Sequence, residues 1–289
     1  MVPSGFPEHL VPVRWLGGGP LSEVWEALDG DERVAVKLLT TGTAAAPNPG
    51  GAARLHRELR LLSALETPFL RGLRDVVLGP QGAAGAPILV LEWIDGPDLG
   101  RLAAAGPFTP AQAALVGLRL AEALGWLHGR GWIHRDVKPA NVLVSREGRV
   151  VLSDLGLAWP AGVPDPPGDD AGAGTPAYMS PERLAGAPAT PADDLWSLGV
   201  VLYRLLSGAH PFRDDTGDDL FDRIRAGDPP PPAGVPEALA RPVLACLRPR
   251  PEDRPTSAAV LAEALNGFLG PGGEAAAAAA LRARVGTGD

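Results

Sequence analysis

The stretch HRDVKPAN, residues 134–141, decides how this chain is read. It sets four ionisable side chains, a proline and an asparagine directly after an apolar helical pattern. Pro139 removes a backbone donor and clashes with a preceding turn, so no helix interior runs through it. A loop whose only duty is to be solvated does as well with Ser, Gly and Asn. Crowding His134, Arg135, Asp136 and Lys138 into one short loop asks for chemistry.

Working outward, the loop is followed by "VLV", a turn "SREGR" and "VVLSDLG", a short hairpin that ends in Asp154-Leu155-Gly156. That order lets Asp136, Asn141 and Asp154 converge at one end of the hairpin. Two aspartates and an asparagine suit a Mg2+-nucleotide site, because Mg2+ is a hard cation that takes oxygen ligands and shares them with substrate phosphates. Lys138 can hold a moving phosphate as a point charge.

Residues 10–94 read as short strands with one helix. "EVWEAL" and "RVAVKLL" are β-rich and split by the turn "DGDER", and "APILVLEWI" is a buried-type strand. "RLHRELRLLSALE" carries Leu55, Leu59, Leu62 and Leu65 at helical spacing. From Pro97 onward the pattern is mainly helical. The first long helix opens with Thr109 as N-cap and Pro110 at its first position, and ends near Gly129 or Gly131. "DDLWSLGVVLYRLLSG", "ALARPVLACL" and "TSAAVLAEALNGFL" follow as further helices. Segments rich in Gly and Pro at 40–53, 159–174 and 227–236 read as loops. The tail 270–289, with its run of six alanines, reads as a frayed helix or disordered segment.

With 289 residues, the chain has room for two domains or lobes at roughly 150 residues each. A net charge of −8 argues against a general nucleic-acid binder and is a poor match to an anionic membrane. The single cysteine, Cys246, excludes a disulfide framework within the chain and fits a reducing cytosol. The N-terminal residues have no signal-peptide character, and the longest apolar run, "LGVVLYRLL", is broken by Arg204 and too short for a bilayer. The Ala/Gly/Pro/Arg style of the chain suggests a high-GC bacterial source.

From about Val13 to Leu265 the sequence resembles the eukaryotic-like Ser/Thr protein kinase family, as found in bacteria. "HRDVKPAN" looks like its catalytic loop and "DLG" (154–156) like its metal-binding Asp-Phe-Gly, with Leu for Phe. "VAVK" (34–37) matches the strand that carries the ATP lysine. "GTPAYMSPE" (174–182) resembles the end of the activation segment, and "RPEDRPT" (250–256) the late arginine motif. Several motifs in the right order make a far more specific signal than any one of them.

The resemblance implies an α+β, bilobal kinase-like fold. Its parts are an N-terminal tail (1–9), a β-rich N-lobe with one main helix (10–93), a larger, mostly helical C-lobe (94–269) and a tail (270–289). It implies ATP and Mg2+ as cofactors, with Mn2+ as a substitute. In "LGGGPLSEVWEA", Leu16, Gly17, Gly18 and Gly19 would cover the phosphates, although Ser22 stands where the family has a third glycine. Lys37 would pair with Glu58 and position the α- and β-phosphates. Backbone groups of Glu92 and Ile94 would bond the adenine, with Leu91 as gatekeeper and Val24, Ala35 and Leu143 sandwiching the ring. Asp98 would touch the ribose or a basic substrate residue, or simply cap its loop. Asp136 would accept the substrate hydroxyl proton and Lys138 would stabilise the γ-phosphoryl group. Asn141 and Asp154 would hold the metal, while His134 would be structural.

Asp194 should brace the loop, and Glu182 should pair with Arg254. Thr175 is expected beside Lys138, a Ser/Thr-specific pattern. The implied partner is a protein Ser/Thr substrate, with basic residues near its target favoured by acidic stretches such as 213–219. Asp165, Asp169 and Asp170 offer built-in charge in a segment that holds no Ser, Thr or Tyr between Asp154 and Thr175. The competing readings are a nucleotide-binding pseudokinase or scaffold and a small-molecule kinase of related fold. The first predicts loss of Lys37, Asp136 or Asp154, and the second predicts loss of "GTPAYMSPE"; all of these are present. The oligomeric state is not specified by any of these patterns.

Overall fold

Alternation in the strand that carries Lys37 organises the N-terminal part of the chain. In the computed structural model, which describes residues 6–19, 21–39, 49–78, 86–164, 174–212 and 220–286, the chain forms two units. The first is Met1–Ile94 with Asp154–Leu157, and the second is Asp95–Ser153 with Ala158–Asp289. The acidic stretch 213–219 and Asp165, Asp169 and Asp170 lie outside the described residues.

The first unit contains β1 (Leu10–Gly18), β2 (Ser22–Asp29), β3 (Glu32–Leu39), α1 (Pro49–Ala64), β4 (Leu73–Leu78) and β5 (Pro87–Glu92). The strands form one antiparallel sheet in the order β1-β2-β3-β5-β4. Asp29 opposite Glu32 leaves a two-residue hairpin loop in which Gly30 has φ 59°, the conformation that favours glycine in such a turn. Because strand side chains alternate, Val34, Val36 and Leu38 join Leu10, Trp25, Ala27, Ile88 and Val90 in one apolar cluster. Ala35 and Lys37 point to the other face, where α1 buries Leu55, Glu58, Leu61 and Leu62. Lys37 is therefore carried inward by the same alternation that builds the core.

The second unit contains α2 (Leu99–Ala104), α3 (Pro110–His128), β6 (Trp132–Ile133), β7 (Val142–Val144), β8 (Val150–Leu152) and β9 (Trp159–Pro160), then α4 (Pro181–Leu184), α5 (Pro191–Ser207), α6 (Leu220–Ala226), α7 (Glu237–Cys246), α8 (Ala258–Leu269) and α9 (Gly273–Gly286). A β-rich unit with one main helix and a mostly helical second unit give the α+β arrangement anticipated from the sequence. The start of α3 follows its sequence signals, with Pro110 in the first turn and a capping box between Thr109 and Gln112. α3 is buried nearly all round, and α5 is its apolar partner in the core. Hairpin β7–β8 pairs Val142 with Leu152, so the loop before it and the residues after it leave the same end.

Two findings differ from the sequence reading. Residues Asp154–Leu157 group with the first unit although they follow a strand of the second. Polar bonds explain this: Lys37 holds Asp154, and the Arg57 guanidinium donates to the Gly156 carbonyl at 2.9 Å. The tail, read as frayed or disordered, carries α9. Ala277, Leu281 and Val285, spaced four apart, are buried, Gln112 donates to the Ala280 carbonyl at 2.9 Å, and Arg119 pairs with Glu274. Tertiary packing rather than alanine content fixes this helix.

Candidate active site

Two clusters gather the residues singled out above, one in each unit. In the second unit, Pro139 opens a short 3-10 turn, Pro139–Asn141, that carries the loop into β7. Asp136 lies at the centre of the cluster and is 8% exposed. Its Oδ2 accepts from the Asn141 amide nitrogen at 2.9 Å and sits 2.7 Å from Lys138 Nζ, while its Oδ1 accepts from the Thr175 hydroxyl at 2.9 Å. Lys138 Nζ also donates to Thr175 Oγ1 at 2.9 Å. The Asn141 amide nitrogen is engaged a second time by the Asp136 carbonyl, at 2.8 Å. This assigns the amide orientation and leaves Oδ1 as the atom of Asn141 that can meet a cation.

Beneath the loop, the fully buried Asp194 accepts from the backbone N–H groups of His134 and Arg135 at 2.8 and 2.9 Å, and its Oδ2 lies 2.8 Å from His128 Nε2. Burial alone would raise the Asp194 carboxyl, but His128 and the donors from the loop outweigh it and hold the group below its ordinary range. Arg135 has φ 71°, a left-handed conformation unusual for a non-glycine residue, and the Asp194 bond to its N–H helps to hold it. His134 is wholly buried; its Nδ1 accepts from the Asp136 N–H at 3.3 Å, so Nε2 carries the proton that faces the Ser153 carbonyl at 3.2 Å. Both ring nitrogens of His134 are thus engaged by backbone groups of its own unit.

Lower in the same unit, Arg254 makes a two-pronged pair with Glu182 at 2.6 and 2.8 Å and also donates to three backbone carbonyls. Burial raises the Glu182 carboxyl, but the guanidinium more than reverses this and the group lies below its ordinary range.

In the first unit, Lys37 is 6% exposed and Glu58 is 2% exposed. Lys37 Nζ donates to Glu58 Oε2 at 2.6 Å and to Asp154 Oδ1 at 2.7 Å. Burial pulls the ammonium down, but Asp154 and Glu58 together carry it above its usual value. Glu58 is raised, first by burial and then by the neighbouring Asp154 charge, because one ammonium is shared between two carboxylates. Asp154 sits at φ 67°, its Oδ1 accepting from the Gly156 N–H at 3.2 Å, and its side chain is 42% exposed.

The remaining candidates divide between the units. Ala35 is buried in the middle of β3, Leu91 and Ile94 are buried at and just after the end of β5, and Leu16, Gly17 and Val24 are half-buried on β1 and β2. Gly18 lies exposed on β1, where an added Cβ would come within 3.0 Å of Glu23 Cα. Gly19 follows β1 and donates to the Ser22 carbonyl at 2.9 Å. A Cβ at Gly17 or Gly19 would meet nothing within 4 Å, so packing within the chain does not require glycine at either place. Asp98 is committed to its own helix: its Oδ1 accepts from the Arg101 N–H at 3.0 Å as the N-cap of α2. Leu143, half-buried on β7, forms a bridge to Asp98. Sequence reasoning overlooked Arg71, whose Nε donates to the Glu92 carbonyl at 2.9 Å, and Arg57. A charge set between Leu70 and Gly72 at the entrance to a strand was the only signal for Arg71.

Among the described residues no group of three or more His, Cys, Asp or Glu side chains could form a metal cage, and no helix is long and apolar enough to cross a membrane. Residues 10–265 match the family model described as protein kinase domain. The chain is 35% identical over 259 residues to the serine/threonine-protein kinase PkaA of Streptomyces coelicolor, an alignment that covers 84% of this chain and 47% of that one. It is 34% identical over 272 residues to the serine/threonine-protein kinase PknH of Mycobacterium bovis, covering 91% and 44%. With the serine/threonine-protein kinase PknB of Mycobacterium leprae it shares 34% identity over 252 residues, covering 84% and 40%. The chain thus spans less than half the length of each of these curated relatives.

Proposed function

Because the chain belongs to the bacterial-type Ser/Thr protein kinase family, we propose that it transfers the γ-phosphoryl group of MgATP to a Ser or Thr hydroxyl of a protein. Family membership brings ATP and a divalent metal in general terms. The observation that carries the finer reading is the closed set Asp136–Lys138–Thr175–Asn141. There a buried carboxylate is held by three donors at 2.7–2.9 Å. Phosphoryl transfer needs positioning and charge stabilisation more than covalent chemistry, and this set supplies both.

In this reading Asp136 accepts the proton of the attacking hydroxyl, and Lys138 stabilises charge on the transferred group. Thr175 fixes both and so favours a Ser/Thr substrate. Lys37, steadied by Glu58, holds the α- and β-phosphates. Leu16, Gly17, Gly18 and Gly19 cover the phosphates, and the open space above Gly17 and Gly19 suits backbone approach by an outside group. Val24, Ala35, Leu91 and Leu143 flank the adenine, while Glu92 and Ile94 bond it. For Asp98 the cap role is the one supported, since its Oδ1 is already spent on α2.

The donor set suits Mg2+, or Mn2+ in its place. Asn141 Oδ1 and the Asp154 carboxylate are hard oxygen donors, and a site with so few protein oxygens is completed by phosphate and water. Such an ion would offset the charge of the phosphates. The single cysteine is a buried free thiol, raised by burial to about 12, which accords with a reducing compartment; we assign the cytoplasm. Substrates with basic residues near the target suit the acidic balance of the chain.

The test is transfer of labelled γ-phosphate from ATP to generic basic proteins with Mg2+, followed by mapping of the labelled residues. Label on Ser or Thr is the expected result; no transfer by folded protein that binds MgATP would favour the pseudokinase reading. Asp154→Asn should abolish transfer and also erase the Mg2+ dependence of nucleotide binding, measured by calorimetry with and without the metal. Mg2+-dependent binding that survives this change would remove Asp154 from the metal set.

A further inference from the structure

Glu92 is assigned above to the base through its backbone, and its carbonyl already receives a donor from the protein. Arg71, half-buried between Leu70 and Gly72, gives its Nε–H to that carbonyl at 2.9 Å. Among the described residues this is the one hydrogen bond Arg71 makes. Its place is fixed by the backbone. The Glu92 N–H donates to the Gly72 carbonyl at 2.8 Å, and the Gly72 N–H lies 3.4 Å from Glu92 Oε2, so the residue after Arg71 is stapled to the end of β5.

A bare carbonyl at this place separates purines sharply. The 6-amino group of adenine donates to it. The 6-oxo group of guanine sets acceptor against acceptor and leaves both unpaired, a mismatch of the kind that gives strong discrimination. A guanidinium changes the balance because it carries five N–H donors in a planar fork and no acceptor. With Nε on the carbonyl, one terminal nitrogen of the same rigid plane shares the edge that carries the Nε–H. A carbonyl oxygen carries two lone pairs, so one donor does not exhaust it for an amino group, and the guanidinium offers further donors to an oxo group. Burial lowers Arg71 to about 10, against the pull of Glu58, Glu92 and Asp154, so the group is charged at neutral pH.

We propose that Arg71 is a specificity-determining residue that lets the base-recognising end of β5 accept 6-oxopurine nucleotides as well as adenine nucleotides. The inference rests on the nucleotide-binding reading above.

The experiment is calorimetric binding of the β,γ-imido analogues of ATP and GTP, each with Mg2+, to the full chain. In the wild type the two dissociation constants should lie within about tenfold of each other. Arg71→Met should raise the GTP/ATP ratio by about tenfold or more. Arg71→Lys should behave like Arg71→Met, because lysine keeps the charge but not the planar fork; full rescue by lysine would show a purely electrostatic role and overturn the proposal. A wild-type ratio above about 10^3 overturns it too, as does an unchanged ratio in Arg71→Met. If Arg71→Met does not fold, as read by thermal unfolding, the wild-type ratio and the lysine variant decide. Binding of neither nucleotide by folded protein overturns the nucleotide-binding reading itself, whereas tight ATP binding with rejection of GTP overturns only the role of Arg71.

Discussion

Asp136→Asn should bind MgATP but transfer its phosphate about a thousandfold more slowly than wild type. The carboxylate meets three donors, from Thr175, Asn141 and Lys138. An asparagine keeps one oxygen but turns an amide N–H2 toward donors that need an acceptor. It also lacks the charge and the basicity to take a proton from a hydroxyl. Lys37 holds Glu58 and Asp154 by bonds within the first unit, so the proposed phosphate-holding set keeps its own contacts. Single-turnover transfer to a peptide, compared with calorimetric MgATP binding, separates the two effects. Wild-type turnover would falsify the role given to Asp136.

Arg254→Met should be the most destabilising single change outside the apolar core. The Arg254 side chain is fully buried, and removing it strands the Glu182 carboxylate and three backbone carbonyls. Breaking a buried pair in this way costs about 3–5 kcal/mol, or a fall of roughly 10 °C in the unfolding midpoint. Glu182→Gln, which keeps an acceptor for the guanidinium, should cost less. The pair also carries an acid dependence with a definite sign. The Glu182 carboxyl is depressed in the fold, so its contribution is present above the ordinary carboxylate value and is lost as pH falls through the lower, folded one. Arg254→Met should lack that part of the acid sensitivity in urea unfolding at two pH values. A midpoint within about 2 °C of wild type would place the pair among those that contribute little.

Much of the site was legible because local rules and chemistry agreed. Alternation in "RVAVKLL" carries Lys37 to the α1 face, and the leucine spacing of "RLHRELRLL" turns Glu58 toward it, so the pair follows from two periodicities. The order loop, strand, turn, strand predicts that Asp136, Asn141 and Asp154 converge at one end of β7–β8, and the structure joins Asp136 and Asn141 by a bond there. What stayed hidden depends on bonds that cross the sequence without a pattern. The transfer of Asp154–Leu157 to the first unit rests on Lys37 and Arg57, and no local signal announces a partner about a hundred residues away. Asp98 is ambiguous between cap and ligand in the sequence because both duties use the same carboxylate; the structure shows the cap bond, with Oδ1 accepting from the Arg101 N–H. Helix α9 hid behind its composition. Six alanines give no amphipathic stripe, although Ala277, Leu281 and Val285 mark one edge.

The bracing of the loop that carries Asp136 has a consequence in hydrogen exchange. Loop amides ordinarily exchange quickly because their bonds open by local fluctuation. The amides of His134 and Arg135 are instead anchored on Asp194, a carboxylate that is 1% exposed and sits on the core helix α5. Neither amide can meet solvent until that helix lets go of the loop. Both should therefore exchange with the slowest amides of α3 and α5, hours behind the exposed turn at Arg146–Gly148, so that by deuterium uptake this loop is indistinguishable from core.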